Sequence, residues 1–242
     1  MFYTDIHCHI IPGVDDGSYS MELSLKMLQR EYEDGVRSII LTPHYRIGMF
    51  ETADEVIRQR FSELVEEASR ILPDLSLYLG REYHAHTDML PDFYEGSTRI
   101  STMCGSEYVL LEFSADKSLS YIKARTKDLL DIGLTPIIAH IERYPCVVFK
   151  PEFVSELHTL GAMVQINAGA LTGEDGWTMK GFCKKLLKDE LVDFIATDCH
   201  DLKRRPPNLI KAVKYVEKKA GIAAVDRIFH ENPMMIIYSA EE

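Results

Sequence analysis

The 242-residue sequence predicts an α/β fold: a closed or nearly closed barrel of parallel strands. Three observations predict it. Apolar runs of strand length alternate with amphipathic helical stretches, and seven strands can be counted; alternation of this kind makes a parallel sheet. No glycine-rich phosphate loop follows the first run, so an open dinucleotide-binding sheet has no support. No shift in composition marks a linker, and α/β barrels run to this length as one domain. The expectation is therefore a single domain over residues 1–242.

The elements follow in order. Residues 2–7 form the first strand. Ser20 caps the next helix, in which Met21, Leu25, Leu28 and Tyr32 recur at helical spacing, and Gly35 ends it. Residues 38–42 are the second strand, running into Pro43 and His44. Thr52-Ala-Asp-Glu55 reads as a capping box, ahead of a helix with Ile57, Phe61, Leu64 and Ala68 on one stripe. That helix stops before Pro73. Residues 75–79 form the third strand, ending near Glu82, and residues 84–105, with Pro91, Gly96 and Gly105, are irregular. The fourth strand, 108–111, ends at Glu112. A helix from about 118 to 132 precedes the strand 134–139, which ends at His140. Pro151 suits the first turn of the next helix, which Gly161 closes. Strand 162–166 ends at Asn167; a helix near 178–188 leads to strand 192–196, which ends at Asp198. Pro206-Pro207 opens a last helical region, with Leu209, Val213 and Val216 on one face and a short helix around 225–229.

The chemistry gathers at the carboxyl ends of these strands, where barrel enzymes assemble their sites. The residues there are His7 and His9, His44, Glu82, Glu112, His140, Asn167, and Asp198 with His200. Six of the seven strands thus end in a potential metal ligand. His7 and His9, two apart, project from one face of a strand. Mixed imidazole and carboxylate donors suit manganese, iron or zinc more than calcium. Nine candidates exceed the needs of one ion, so two or three ions are expected. A lone histidine at a strand end is ordinarily a satisfied polar residue, but the set together favours ligation. Glu82 and Glu112 follow apolar strands, where an unpaired carboxylate is costly. Of the adjacent Asp15 and Asp16, one is a ligand and the other caps a turn. His84 and His86 are expected in a loop and His158 and His230 in helices, all four outside the site; Asn167 lines it. Arg143 and Arg205 stand close to the ligands in sequence, and a guanidinium there can grip phosphate oxygens. The plainer reading of Arg205 is a surface residue of the basic run Lys203-Arg-Arg205.

Composition removes several classes. At 46% hydrophobic and 27% charged the chain is ordinary for a globular protein, and no apolar run approaches the roughly 18 residues of a membrane span. No charged-then-apolar leader is seen at the N-terminus. A net charge of -11 argues against nucleic-acid binding, and three divalent ions would bring it to about -5. Five scattered cysteines without a CxxC pair suggest reduced thiols in the cytoplasm. Cys199 and Arg205 match the spacing of thiol-dependent tyrosine phosphatases, but His-Asp-Leu-Lys-Arg between them holds no glycine to let backbone N–H groups converge on phosphate. The match is accidental.

Taken together, HxH with a following VDDG, TPH with GMFE downstream, LLEF, AHIERY and TDxHDLxxRPP resemble the PHP-type protein tyrosine phosphatases of bacteria. These belong to the polymerase and histidinol phosphatase superfamily and act in capsule and exopolysaccharide regulation. The resemblance runs from His7 to about Pro207. It implies a distorted (β/α)7 TIM-like barrel and three divalent metal ions, usually Mn2+, with iron or zinc as alternatives. His7, His9, Glu82 and Asp198 would hold one ion; Glu82, as a bridge, with Glu112 and His140 the second; Asp16, His44 and His200 the third. Arg143 and Arg205 would contact phosphate. Arg81, His84 and His86 depart from the pattern without disturbing the metal set. Both lines imply attack on phosphorus by a hydroxide that the ions activate, with no phosphocysteine. The implied partner is a bacterial tyrosine kinase with a C-terminal tyrosine cluster. Competing readings are a histidinol-phosphate-type small-molecule phosphatase and a non-catalytic, metal-bound interaction domain; a nuclease fits the acidity poorly.

Overall fold

Short apolar strands joined by helices build the chain of this computed structural model, which describes residues 2–94, 97 and 99–240. Gly96 of the irregular stretch lies outside the described residues. Strand β1 (Tyr3–Cys8) leads to α1 (Met21–Glu33), then β2 (Val36–Leu41), β3 (His44–Tyr45) and α2 (Asp54–Ile71). Next come β4 (Ser76–Leu79), β5 (Glu82–His84), β6 (Tyr108–Glu112), α3 (Leu119–Leu130) and β7 (Thr135–Ile138). The helices α4 (Pro145–Val148) and α5 (Glu152–Leu160) precede β8 (Met163–Asn167). After it follow α6 (Ala168–Thr172), α7 (Trp177–Lys188) and β9 (Phe194–Ala196). The chain ends in α8 (Leu209–Ala220), α9 (Ile222–Asp226), one π-helical turn and α10 (Asn232–Tyr238).

Every strand pairing is parallel, in two curled sheets of order β1-β2-β4 and β3-β5-β6-β7-β8-β9. Two of the seven expected strands are broken. Pro43, which has no N–H for a ladder, separates β2 from β3. Gly80 separates β4 from β5, and a Cβ there would press on Ile40 and Met103. Near the far edge, Asp198 donates its N–H to His7 O at 2.8 Å and His9 donates to Cys199 O at 2.9 Å, so β1 and the segment after β9 lie side by side.

Side chains alternate across the strands with period two. Ile6, Ile40, Leu110, Ile137 and Phe194 pack on one side with Ile236 and Ile237 of α10. Ile39, Leu41, Val109, Leu111 and Ile138 pack on the other with Leu28, Leu64, Ile122 and Leu157 of the helices. Ser20 and Ser118 cap α1 and α3 as their side chains accept N–H bonds. The expected capping box is absent. Residue Ala53 occupies the N-cap of α2, while Thr52 donates its hydroxyl to Val14 O at 2.6 Å. Asp54 is drawn instead to the buried Arg81, at 3.2 Å, and to the N–H of Ile100. Tertiary partners have outbid the local motif.

One buried acid tests this packing. Glu31 of α1 is fully enclosed, with the Cys199 thiol donating to its Oε1 at 3.9 Å. Burial first, then the neighbouring Asp5, pushes its pKa well above the ordinary carboxylate value. A raised acid favours folding below its unfolded pKa, near 4.5, and loses that contribution as pH climbs towards the folded value. The expectation is that Glu31→Gln flattens the fall in stability above pH 5, a slope of at most about 1.4 kcal/mol per pH unit. Denaturant midpoints at pH 5, 6.5 and 8 check it; parallel curves for the two proteins would refute the burial argument.

Candidate metal centre

The turn after β1 brings the first donors into place. Gly13 adopts φ 68° and Gly17 passes so close to His9 that a Cβ would overlap the His9 carbonyl. Two bonds close this turn, Gly13 N–H to Ser18 O at 2.7 Å and Ser18 N–H to His9 O at 2.9 Å. The Asp15 carboxylate, buried inside it, accepts from His9 Nδ1 at 2.7 Å, from Gly17 N–H at 3.0 Å and from His44 N–H at 3.0 Å. Asp15 therefore orients His9, and Asp16 reaches outward to lie 3.5 Å from both His44 Nε2 and His200 Nε2.

The remaining imidazoles are oriented in the same manner. His7 Nδ1 meets Gln165 Oε1 at 3.2 Å, and Gln165 is itself fixed through Asn167 Oδ1 at 2.8 Å. The Tyr144 hydroxyl donates to Ala139 O and lies 3.4 Å from His140 Nδ1. His200 Nδ1 donates to Asp198 O at 3.0 Å. With Nδ1 engaged, His7, His9, His140 and His200 each turn Nε2 towards a common space, as second-layer partners do around metals. His140 and Asp198 hold this geometry with backbone φ of 30° and 52°, values that cost a non-glycine residue energy and that cluster at functional sites.

Four groups of donor atoms lie within 4.8 Å of one another: His9, Asp16, His44 and His200; His7, His9 and Asp198; His7, Glu82 and His140; His44, Glu82 and Glu112. Glu82 links the last two, with Oε2 at 3.2 Å from Nε2 of both His7 and His9 and 2.8 Å from His44 Nδ1. The fit to cations rests on orphaned atoms. Glu82 Oε2, Asp198 Oδ1, His44 Nδ1 and His200 Nε2 are buried and have no hydrogen-bond partner among the described residues. Buried polar atoms are ordinarily paired. Donor atoms converging on one space are what divalent ions require, and the mixed N/O donor set suits a transition metal.

The charges agree. Burial opposes ionisation of Glu82, yet His7, His44 and His140 hold its carboxyl well below the ordinary range. Burial opposes it at Asp198 too, where Arg143 and His7 more than compensate. Burial and then Glu82 push Glu112 up to about 7. His140 and His200 are pushed down to about 4, by burial first and then by Arg143 and His9 respectively. Those two imidazoles are neutral at pH 7, as ligation requires. His7 and His9 go the other way: burial lowers them, but Glu82 and Asp198 around His7 and Asp15 beside His9 raise both. A proton there competes for the place of a cation.

Asp198 divides its two oxygens. Oδ2 accepts from Asn167 Nδ2 at 2.8 Å and forms ion pairs with Arg143 Nη1 at 2.9 Å and Arg205 Nη2 at 2.5 Å, while Oδ1 has no hydrogen-bond partner on the imidazole side. The two arginines thus stand at the rim of the cluster, each about two-thirds buried. Arg205 is presented by Asp201, whose Oδ1 accepts the N–H groups of Lys203, Arg204 and Arg205.

All nine expected ligands, Asn167 and both arginines therefore come together. His84 bonds Ser114, His86 bonds Tyr83 and His158 bonds Asp193, each outside the four donor groups. His84 nevertheless belongs to β5 and is not a loop residue. Arg81 is wholly buried and paired with Asp54 at 3.2 Å. Gln165 and Tyr144 were missed, although a glutamine inside the apolar strand β8 is a readable oddity. Cys199 is enclosed and faces Glu31, and the next helix begins only at Leu209, so the cysteine–arginine spacing builds no phosphate loop.

Comparisons with known proteins agree with this geometry. The family model for capsular polysaccharide synthesis, CpsB/CapC, matches residues 3–238. The chain is 37% identical over 238 residues to the tyrosine-protein phosphatase CpsB of Streptococcus pneumoniae, covering 96% of this chain and 97% of that one. It is 30% identical over 239 residues to the tyrosine-protein phosphatase YwqE of Bacillus subtilis, covering 98% and 89%. A solved structure from work on YwqE and CpsB, described there as unique metal-dependent tyrosine phosphatases, superposes with a TM-score of 0.83 at 29% identity, over 98% of this chain and 92% of that one.

Proposed function

We propose, from the premise that this chain belongs to the CpsB/CapC capsular polysaccharide synthesis family, that it is a metal-dependent protein-tyrosine phosphatase. One observation carries the chemistry: Asp198 gives one oxygen to two arginines and keeps the other for the imidazole cluster. Phosphate-gripping groups and metal-holding groups are thereby locked into one frame.

His7, His9, Glu82 and Asp198 would hold one ion, Glu82, Glu112 and His140 a second, and Asp16, His44 and His200 a third. His9 lies between the first set and the third. Manganese is the metal we favour. When bound, such ions supply Lewis-acid charge and a water made acidic enough to act at neutral pH. The chain's own contribution is placement. Arg143 and Arg205 offer planar, permanently charged donors to the non-bridging phosphoryl oxygens and stabilise charge that grows in the transition state. Asp15, Gln165 and Tyr144 keep His9, His7 and His140 in the required orientation. The tyrosinate leaving group, with a pKa near 10, needs less protonation than an alkoxide would. No cysteine takes part.

We read the seven strand positions, two of them broken, as a distorted (β/α)7 barrel and residues 1–242 as one domain. No described helix is long and apolar enough to cross a membrane; the cytoplasm is the proposed location. The proposed substrate is a phosphotyrosine protein of capsule or exopolysaccharide synthesis, by resemblance a tyrosine kinase with a C-terminal tyrosine cluster.

A metal-replacement assay on a phosphotyrosyl peptide tests this function. Activity should vanish with chelator and return with manganese, and Cys199→Ser should keep it within about twofold, since that thiol faces the core. A dead Cys199→Ser enzyme that is still folded and metal-loaded would defeat the mechanism. Preference for histidinol phosphate over the peptide would move the assignment to a small-molecule phosphatase.

A further inference from the structure

Beside the metal centre, the turn after β1 and the loop after β9 enclose a cleft of about 380 Å3. Its walls are Tyr19, Leu23 and Leu202 on the apolar side and Lys203 and Arg204 on the basic side. The same two loops build the site: Gly17 and Ser18 pack on His9 just before Tyr19, and Arg204 immediately precedes Arg205. The cleft is therefore lined by the residues that directly precede Arg205 in the loop that presents it.

Its charges are unevenly committed. Glu22 and Lys26 are paired with each other at 2.6 Å. Asp201 spends Oδ1 on three backbone N–H groups of its own loop. Lys203 and Arg204 form no ion pair among the described residues and are exposed, although acidic groups outnumber basic ones 38 to 27 in the chain. Tyr19 is 81% exposed at the same edge. An exposed aromatic beside uncommitted cations, next to a phosphate-gripping arginine, is complementary to an extended acidic segment that carries an apolar side chain.

We infer that this cleft is the docking subsite for the polypeptide flanking the phosphotyrosine, and that it selects an acidic residue within a few positions of it. The inference rests on the phosphatase reading above. The basic run Lys203-Arg204-Arg205 then divides its work: Arg205 turns inward to the phosphate, while Lys203 and Arg204 meet carboxylates on the flanking chain. Tyr19 and Leu202 receive an apolar neighbour. The volume suits two or three side chains rather than a second domain.

The test uses manganese-loaded full-length protein and three substrates: a phosphotyrosyl peptide with Asp or Glu on both sides, the same peptide with Asn and Gln, and p-nitrophenyl phosphate, which has no flanks. The acidic peptide should exceed the neutral one in kcat/KM by about tenfold at low salt, and this preference should shrink as salt rises. Lys203→Gln with Arg204→Gln should erase the preference while p-nitrophenyl phosphate turnover stays within about twofold. Tyr19→Ala should lower kcat/KM for both peptides and spare the small substrate. Equal rates on the two peptides by the unaltered protein would overturn the subsite and leave the phosphatase standing. A double variant that loses all three substrates alike would also overturn it, because the residues would then only shape the Arg205 loop. Failure of the unaltered protein on every substrate would remove the phosphatase reading and the subsite with it.

Discussion

Glu82→Gln will leave a folded protein that binds less metal and hydrolyses phosphotyrosine at least about a thousandfold more slowly, a loss on the scale of disabling the main electrostatic element of a site. Glu82 occurs in two of the four donor groups, and its Oε2 lies within 3.2 Å of both His7 and His9. Glutamine keeps the shape and removes the charge, so steric collapse is not the cause. His7, His44 and His140 lose the anion that they face, and each site that leaned on Glu82 loses the formal negative charge of a fully buried carboxylate. Glu82→Asp keeps the charge and shortens the reach, so it should retain part of the metal and a few per cent of the rate. Metal content after gel filtration, measured with steady-state kinetics, decides the matter. Bound metal also stabilises the fold, by an amount that grows with the logarithm of its affinity. The melting temperature of the unaltered protein should therefore drop with chelator, and that of Glu82→Gln should hardly move. A Glu82→Gln protein with a full metal complement and ordinary activity would end the claim that this residue bridges ions.

Much of this site was legible because of where its residues fall along the chain. A strand in the middle of a parallel sheet must be apolar on both faces, so a histidine, glutamate or aspartate at its last position breaks a pattern that packing alone would have continued. His44, Glu82, Glu112, His140 and Asp198 were all found by that rule. Asp16 could be told from Asp15 by resemblance alone, since adjacent aspartates in a turn have no periodicity; the geometry then sends Asp15 to His9 and Asp16 to His44 and His200. Tertiary contacts hid the rest. Thr52 looks like a cap only until Val14 O claims its hydroxyl, and Asp54 looks like part of that cap only until the buried Arg81 needs a partner. The breaks at Pro43 and Gly80 are local signals, but their effect is to set His44 and Glu82 opposite each other in adjacent short strands, a register that no single stretch reveals. Gln165 acts on His7, 158 positions away, and on the N–H of His140, 25 away.

Arg143→Ala and Arg205→Ala should each lower kcat/KM by about 10²- to 10³-fold, the cost of removing one donor aimed at developing charge. Lysine at either position should restore only part of it, because a single ammonium cannot reproduce the planar fork. The double alanine variant should lose less than the product of the single losses. Both guanidinium groups close on the same atom, Asp198 Oδ2, at 2.9 and 2.5 Å, and groups sharing a partner are not independent. The rival role is that of struts which merely hold Asp198 in place. Asn167 also donates to that oxygen, at 2.8 Å, so Asp198 keeps one fixing contact when an arginine is removed. If the arginines are phosphate clamps, metal content stays at the level of the unaltered protein and inhibition by inorganic phosphate weakens in parallel with kcat/KM. If they are struts, metal content and melting temperature fall and phosphate inhibition follows only through lost metal. Burial disfavours the Arg143 charge, but Asp198 and Glu142 raise its pKa above the usual guanidinium value, so it stays protonated throughout the working range. Arg143 also helps to hold His140 and Asp198 at lowered pKa values, so the pH–rate profile of Arg143→Ala should be lower than that of the unaltered enzyme, with its acid limb moved to higher pH. A profile as high as that of the unaltered enzyme would show that Arg143 does not grip the substrate.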